Sequence, residues 1–157
     1  MKKIVLLFAA CMLACTFTAC GSSSGSASDS ELAVSAEEYE KNSTQTYWNT
    51  AASSVQKSIS SAIYDLDAKG MNVCVDKNKP AVFSSIRNIN TANETELVKY
   101  ALDYFDKLDE IDYVAVVENG SVTFAAAAQG PDATIVGVNP TTSPNSMTIR
   151  QIVESYS

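Results

Sequence analysis

The chain contains no histidine. That absence alone removes Ser-His-Asp triads, Cys-His dyads and nearly every ordinary zinc site. Its six glycines (Gly21, Gly25, Gly70, Gly120, Gly130 and Gly137) never fall into GxGxxG or GxxxxGK, so no phosphate-cradling loop is encoded. No apolar run reaches the roughly 20 residues that a membrane-spanning helix requires. Basic residues are also scarce, 11 against 18 acidic. A chain of that balance is not drawn to nucleic acid or to an anionic membrane surface.

What is present begins with an address. Lys2 and Lys3 form a positive start, and residues 4–17 are an almost uninterrupted apolar run with the length and flanks of a signal-peptide core. The run ends in "FTACGSSSGS" around Cys20. Small residues before the cysteine and a Gly/Ser stretch after it resemble the bacterial lipoprotein motif, with Phe17 where leucine is commonest. The resemblance implies a signal over residues 1–19 and a lipid-modified N-terminus at Cys20. More than one acyl chain there gives a stable anchor. Cys15 is a second candidate, and an ordinary secretory signal without lipid is the plainer alternative. Loss of Lys2 and Lys3 leaves nine basic residues against 18 acidic, a net charge of −9.

Cys11 and Cys15 leave with such a signal, so Cys74 is the one thiol remaining in the domain. One cysteine cannot form an internal disulfide, and the exported domain must rely on its core. In "NVCVD", Cys74 reads as a small buried hydrophobe in a strand. A catalytic thiol would want a base beside it. The mature length suits one domain, expected over residues 35–157 after a flexible linker over residues 20–34.

Ser35 with Glu38 forms a capping box. Trp48, Ala52, Val55, Ile59, Ala62 and Leu66 then recur at alternating spacings of four and three, which puts them on one helical face. Ser53, Ser54, Gln56, Lys57, Ser60 and Ser61 turn mostly away. The helix is expected over residues 36–69, with Gly70 as its left-handed terminator. "MNVCV" is a short strand candidate, and "AVFSSIRNIN" reads less clearly. Asn93 with Glu96 opens a second helix whose apolar stripe is Leu97, Ala101, Tyr104, Phe105 and Leu108.

The clearest β signal is "DYVAVVENGSVTFAAAA". Strands over residues 113–117 and 122–128 meet at Asn119-Gly120, the dipeptide suited to a type I′ turn. Ala125, Ala126, Ala127 and Ala128 would let a helix approach closely; otherwise they mark a weak edge strand. "TIVGV" makes a third strand. Asn145 or Ser146 caps a short last helix with Ile149, Ile152, Val153 and Tyr156 inward.

Three groups of residues are candidates for chemistry. Asp65, Asp67, Gly70 and Asp76 sit at positions 1, 3, 6 and 12 of a calcium-loop pattern. Lys69 occupies a ligand position, however, and the segment reads instead as a helix end. Asp103, Asp106 and Glu110 share a helical face, either as a weak divalent-ion site or as a solvated surface. Tyr39 and Tyr47 are candidate contact residues, whereas Trp48 belongs to the core stripe. No catalytic, cofactor or metal residue is assigned.

The order of parts, with the long helix ending in "YDLDAKG", then "YVAVVENGSVTFAAAA", then "IVGVNP", resembles the headgroup of type IV pilin-like proteins from clostridial bacteria. The resemblance spans residues 47–140. It implies an extracytoplasmic α+β fold in which a long N-terminal helix packs on a small antiparallel sheet, with a second helix before a β-hairpin. A cystatin-like or nuclear-transport-factor-like helix in a curved sheet is the alternative. Where a pilin has a hydrophobic stalk, this chain has the polar "SAEEYEKNSTQT" and a tether, and no functional residues carry over.

The expected protein is therefore a non-enzymatic, lipid-anchored module on the outer face of the cytoplasmic membrane of a Gram-positive bacterium. Its partners would be the membrane, through Cys20, and other envelope or surface proteins, with no nucleic acid and no cofactor. A small accessory lipoprotein that binds a peptide or glycan is the alternative. A hydrolase is the weakest reading, because nothing in the sequence pairs two carboxylates across a cleft.

Overall fold

A computed structural model describes residues 29–73, 79–87, 92–141 and 146–156, and within the first helix the side chains from Glu38 onward. The order of elements is α1 (Asp29–Ala68), β1 (Ala81–Ser84), α2 (Ala92–Tyr104), β2 (Asp112–Glu118), β3 (Ser121–Ala128), β4 (Gly137–Asn139) and α3 (Ile149–Ser155). The four strands form one antiparallel sheet in the order β1-β2-β3-β4. Helices α1 and α2 cover one face of the sheet, and α3 covers the other. The fold is α+β.

Helix α1 is built from residues that do not favour helix on their own. Serine and threonine compete with the backbone for hydrogen bonds. Here Thr44, Thr46, Thr50 and Ser54 each donate to the carbonyl four residues earlier, at 2.8–3.1 Å. Packing does the rest. Ala52, Val55, Ile59, Ala62 and Leu66 are fully buried, as their spacing predicts. The helix ends in a Schellman motif at Gly70 (φ 74°), where Met71 N–H donates to the Leu66 carbonyl and Gly70 N–H to that of Asp67, both at 2.9 Å. This accounts for the near miss to a calcium loop, of which Asp76 lies outside the described residues. Helix α1 starts at Asp29, so Ser35 lies inside it rather than capping it, and residues 29–34 are helical rather than linker.

Trp48 marks where α1 meets the sheet. A Cβ on Gly137 would lie 1.9 Å from the Trp48 carbonyl carbon and 2.3 Å from the Asn49 nitrogen, so only glycine lets helix and β4 touch. Around that contact, α1 bonds the strands with side-chain amides. Asn49 Oδ1 accepts from Val138 N–H at 3.0 Å and from Gln45 Nε2 at 3.1 Å. Gln45 Nε2 also donates to the Val136 carbonyl at 2.9 Å. Gln56, expected to face away, donates to the Val122 carbonyl at 2.9 Å and accepts from Asn139. The edge strand β4 is thus closed by a helix, one of the ways proteins protect a sheet edge.

Strand β3 is not an edge strand. Its alanines split by alternation: Ala125 and Ala127 lie in the core under α1, while Ala126 and Ala128 lie in the core under α3. All four are fully buried. A bulge next to Val116 and Val117 shifts the phase, putting Val122 on the α1 face and Phe124 on the α3 face. Asn119 (φ 53°) and Gly120 (φ 79°) form the tight turn.

Four further expectations are revised. Asn93 lies inside α2 and donates to the Asn72 carbonyl at 3.1 Å instead of capping. Thr148 caps α3 in a complete capping box with Gln151, so Ser146 does not, and Asn145 lies outside the described residues. Tyr156 is exposed, and α3 is held by buried Ile149 and Ile152 and by the Arg150–Asp132 pair at 2.7 Å. The "MNVCV" strand is not formed over residues 71–73, and Cys74 lies outside the described residues.

If α1 seats on β4 through Gly137, Gly137→Ala should cost about 3 kcal/mol or more, because the clash is with backbone and cannot relax by a rotamer change. Denaturant unfolding beside Gly130→Ala, whose Cβ meets nothing within 4 Å, checks this. The second variant should stay within about 1 kcal/mol of the parent.

Candidate functional site

A cavity of about 250 Å³ opens where β1 ends, β2 begins and the chain leaves α2. It exists because α2 stops at Tyr104, and the turns that follow carry the buried Leu108 back against the sheet. Val98, Leu108 and Ile111 supply apolar wall, and Tyr113 adds an aromatic one. Ser84, Ser85, Arg87 and Asp109 supply the polar part. Arg87 and Asp109 are both exposed, at opposite charge, on a cavity that is otherwise largely apolar.

The polar groups are ordered. Ser85 Oγ donates to Asp112 Oδ1 at 2.8 Å and accepts from Tyr113 N–H at 3.0 Å, which clips the end of β1 to the start of β2. Arg87 Nη1 donates to the Val82 carbonyl at 3.4 Å, leaving its other N–H groups for a ligand. Tyr113 is only 4% exposed, and burial pushes its phenol up to about 12. Its hydroxyl has no hydrogen-bond partner among the described residues. Tyr113 forms part of the cavity lining. At neutral pH its phenol stays an O–H group able to donate and accept.

The residues singled out from sequence lie elsewhere. Cys20 is outside the described residues. Tyr39 and Tyr47 are exposed at 77% and 55%, and Tyr64, further along α1, at 76%. Tyr47 rests edge-on against Trp48 with ring centroids 5.1 Å apart, while Trp48 is buried as expected. Asp103, Asp106 and Glu110 do not share a helical face, because α2 ends before Asp106. Among the described residues no three acidic or thiol side chains are grouped to hold a metal ion. Asp65 instead accepts from the Tyr104 hydroxyl at 2.6 Å, and Lys69 donates to Tyr100, tying the end of α1 to α2. Tyr104 is therefore exposed rather than part of the buried stripe.

Sequence reasoning missed Ser85, Arg87, Asp109 and Tyr113 as a group. Their one local signal is "SSIR" directly after the short apolar "AVF", a polar cluster at a strand end. The rest of the group assembles only when β1 pairs with β2.

The unfolded tyrosine releases its proton near 10 and the folded Tyr113 near 12. The unfolded state therefore binds fewer protons above pH 10, and stability should fall from there through about pH 12, by up to about 2–3 kcal/mol. In Tyr113→Phe that part of the alkaline loss should vanish, together with a phenolate absorbance step near pH 12.

No protein-family model matches the chain, and no curated protein or solved structure is significantly similar to it.

Proposed function

We propose that the protein is a non-enzymatic contact module, tethered through lipid on Cys20 to the outer face of the cytoplasmic membrane. The observation that carries this reading is helix α1. It runs unbroken from Asp29, nine residues after Cys20, to Ala68, packed against the sheet from Trp48 onward. Residues 38–43 are exposed without interruption, and the first side chain to bond the sheet is Gln45. At 1.5 Å per residue, the helix before Gln45 is a rod of roughly 24 Å. Such a rod holds a domain away from a surface more firmly than a Gly/Ser coil does.

The solvent side of the helix carries Tyr39, Tyr47 and Tyr64, large side chains with a polar tip and few rotamers. Tyrosine is enriched where proteins meet other proteins. The charge of the chain supports envelope proteins or a second copy over nucleic acid as partners. A second reading, a small-ligand accessory lipoprotein, is favoured by the cavity beside Arg87 and Tyr113.

Cys20→Ala should move the protein from the membrane fraction to the medium and abolish incorporation of a labelled fatty acid. A photo-crosslinking residue at Tyr39 or Tyr47 in intact cells should give adducts with envelope proteins or with a second copy. A protein that stays membrane-bound without Cys20 removes the anchor, and an uncrosslinked monomer removes the contact role.

A further inference from the structure

The cavity at the end of β1 presents a combination that a plain hydrophobe or a plain anion would not satisfy. Its apolar wall is aliphatic, from Val98, Leu108 and Ile111. Its exposed polar part offers one cation, Arg87, and one anion, Asp109. Tyr113 lines the same cavity and keeps its phenol protonated at neutral pH.

Charge narrows the ligand further. Asp103, Asp106, Asp109, Glu110 and Asp112 follow closely in the chain from the end of α2 to the first residue of β2, and the whole molecule is acidic. A simple carboxylate would meet Arg87 against that background, with Asp109 as a like charge on the lining of the same cavity. A ligand with both signs avoids the conflict, because its cation answers Asp109 while its carboxylate meets the guanidinium. The volume is that of roughly eight waters, below the usual range for drug-sized ligands. It suits a molecule with a short branched body and two charged groups on one carbon.

We propose that this cavity binds a free α-amino acid with an aliphatic side chain, of the size of leucine, isoleucine or valine. Its carboxylate pairs with Arg87, its ammonium with Asp109, and its side chain packs on Val98, Leu108 and Ile111. Tyr113 hydrogen-bonds a carboxylate oxygen from below. The site names the ligand class for the second reading and is independent of the contact role of α1, so either can fail alone.

The full chain, extracted from membranes in detergent, is titrated calorimetrically with L-leucine, and beside it with isocaproate and isoamylamine. These share the aliphatic body but keep only one charge each. Leucine should bind, and each analogue should bind at least about tenfold more weakly, as expected when a charged partner is left unpaired. Arg87→Gln and Asp109→Asn should each weaken leucine by about tenfold, and Asp109→Asn should narrow the gap between leucine and isocaproate. Arg87→Lys should recover part of the loss, and Tyr113→Phe should weaken binding several-fold. Thermal unfolding of every variant, within a few degrees of the parent, shows that the domain is intact. The proposal is overturned if leucine, isoleucine and valine all fail to bind up to about 10 mM, a limit weaker than any useful affinity. It is equally overturned if isocaproate binds as well as leucine, or if Arg87→Gln and Asp109→Asn leave binding unchanged.

Discussion

The approach of the α1 backbone to Gly137 is the contact on which the other layers depend. With helix and strand touching, the amides of Gln45, Asn49 and Gln56 are short enough to reach the carbonyls and N–H of β3 and β4. Ala125 and Ala127 extend the same close seat one strand inward, and Trp48 fills the rim. A side chain anywhere along that seam would lift the helix, and each amide bond would be lost as the gap opened. Strands β3 and β4 are thus held through the position of one helix, while β1 lies at the opposite edge of the sheet.

A sheet covered on both faces explains why its central strands read as they do. Strand β2 is buried from Tyr113 to Val117, with Tyr113, Ala115 and Val117 toward α1 and Val114 and Val116 toward α3. Such strands carry apolar runs rather than alternation. The four alanines of β3 follow the same rule, small on both sides because both layers sit close. The bulge beside Val116 corrects the phase of β3, so that Val122 and Ala125 serve the same face despite an odd separation.

Periodicity made the packed part of α1 and the hairpin readable. The stripe from Trp48 to Leu66 and the Asn119-Gly120 turn each declare themselves within a short window. Strand β1 did not, because four residues, "AVFS", are too few to show alternation. The start of α1 is hidden because Ser35-Glu38 mimics a cap in the middle of a helix. For α3 the equivalent pair, Thr148 and Gln151, competes in the sequence with Asn145 and Ser146, nearer the proline. Where α2 stops was hidden by apolar residues that continue the helical spacing into a turn, and this hid the cavity with it. Arg87 and Asp109 are far apart in the chain, and neither carries a local signal of the other.

The rod at the start of α1 has a mechanical consequence. A pull on an anchor upstream of Asp29 acts along the helix axis, and α1 has no break between that end and the sheet. The load therefore reaches Gln45, Asn49 and Gln56 together, spread over roughly 16 Å of stiff helix, as shear. Bonds sheared in parallel must fail at once, whereas bonds peeled from one end fail singly. Tension applied along α1 meets the seam in its strongest direction, so the segment of the helix that stands clear of the sheet also transmits force into the core.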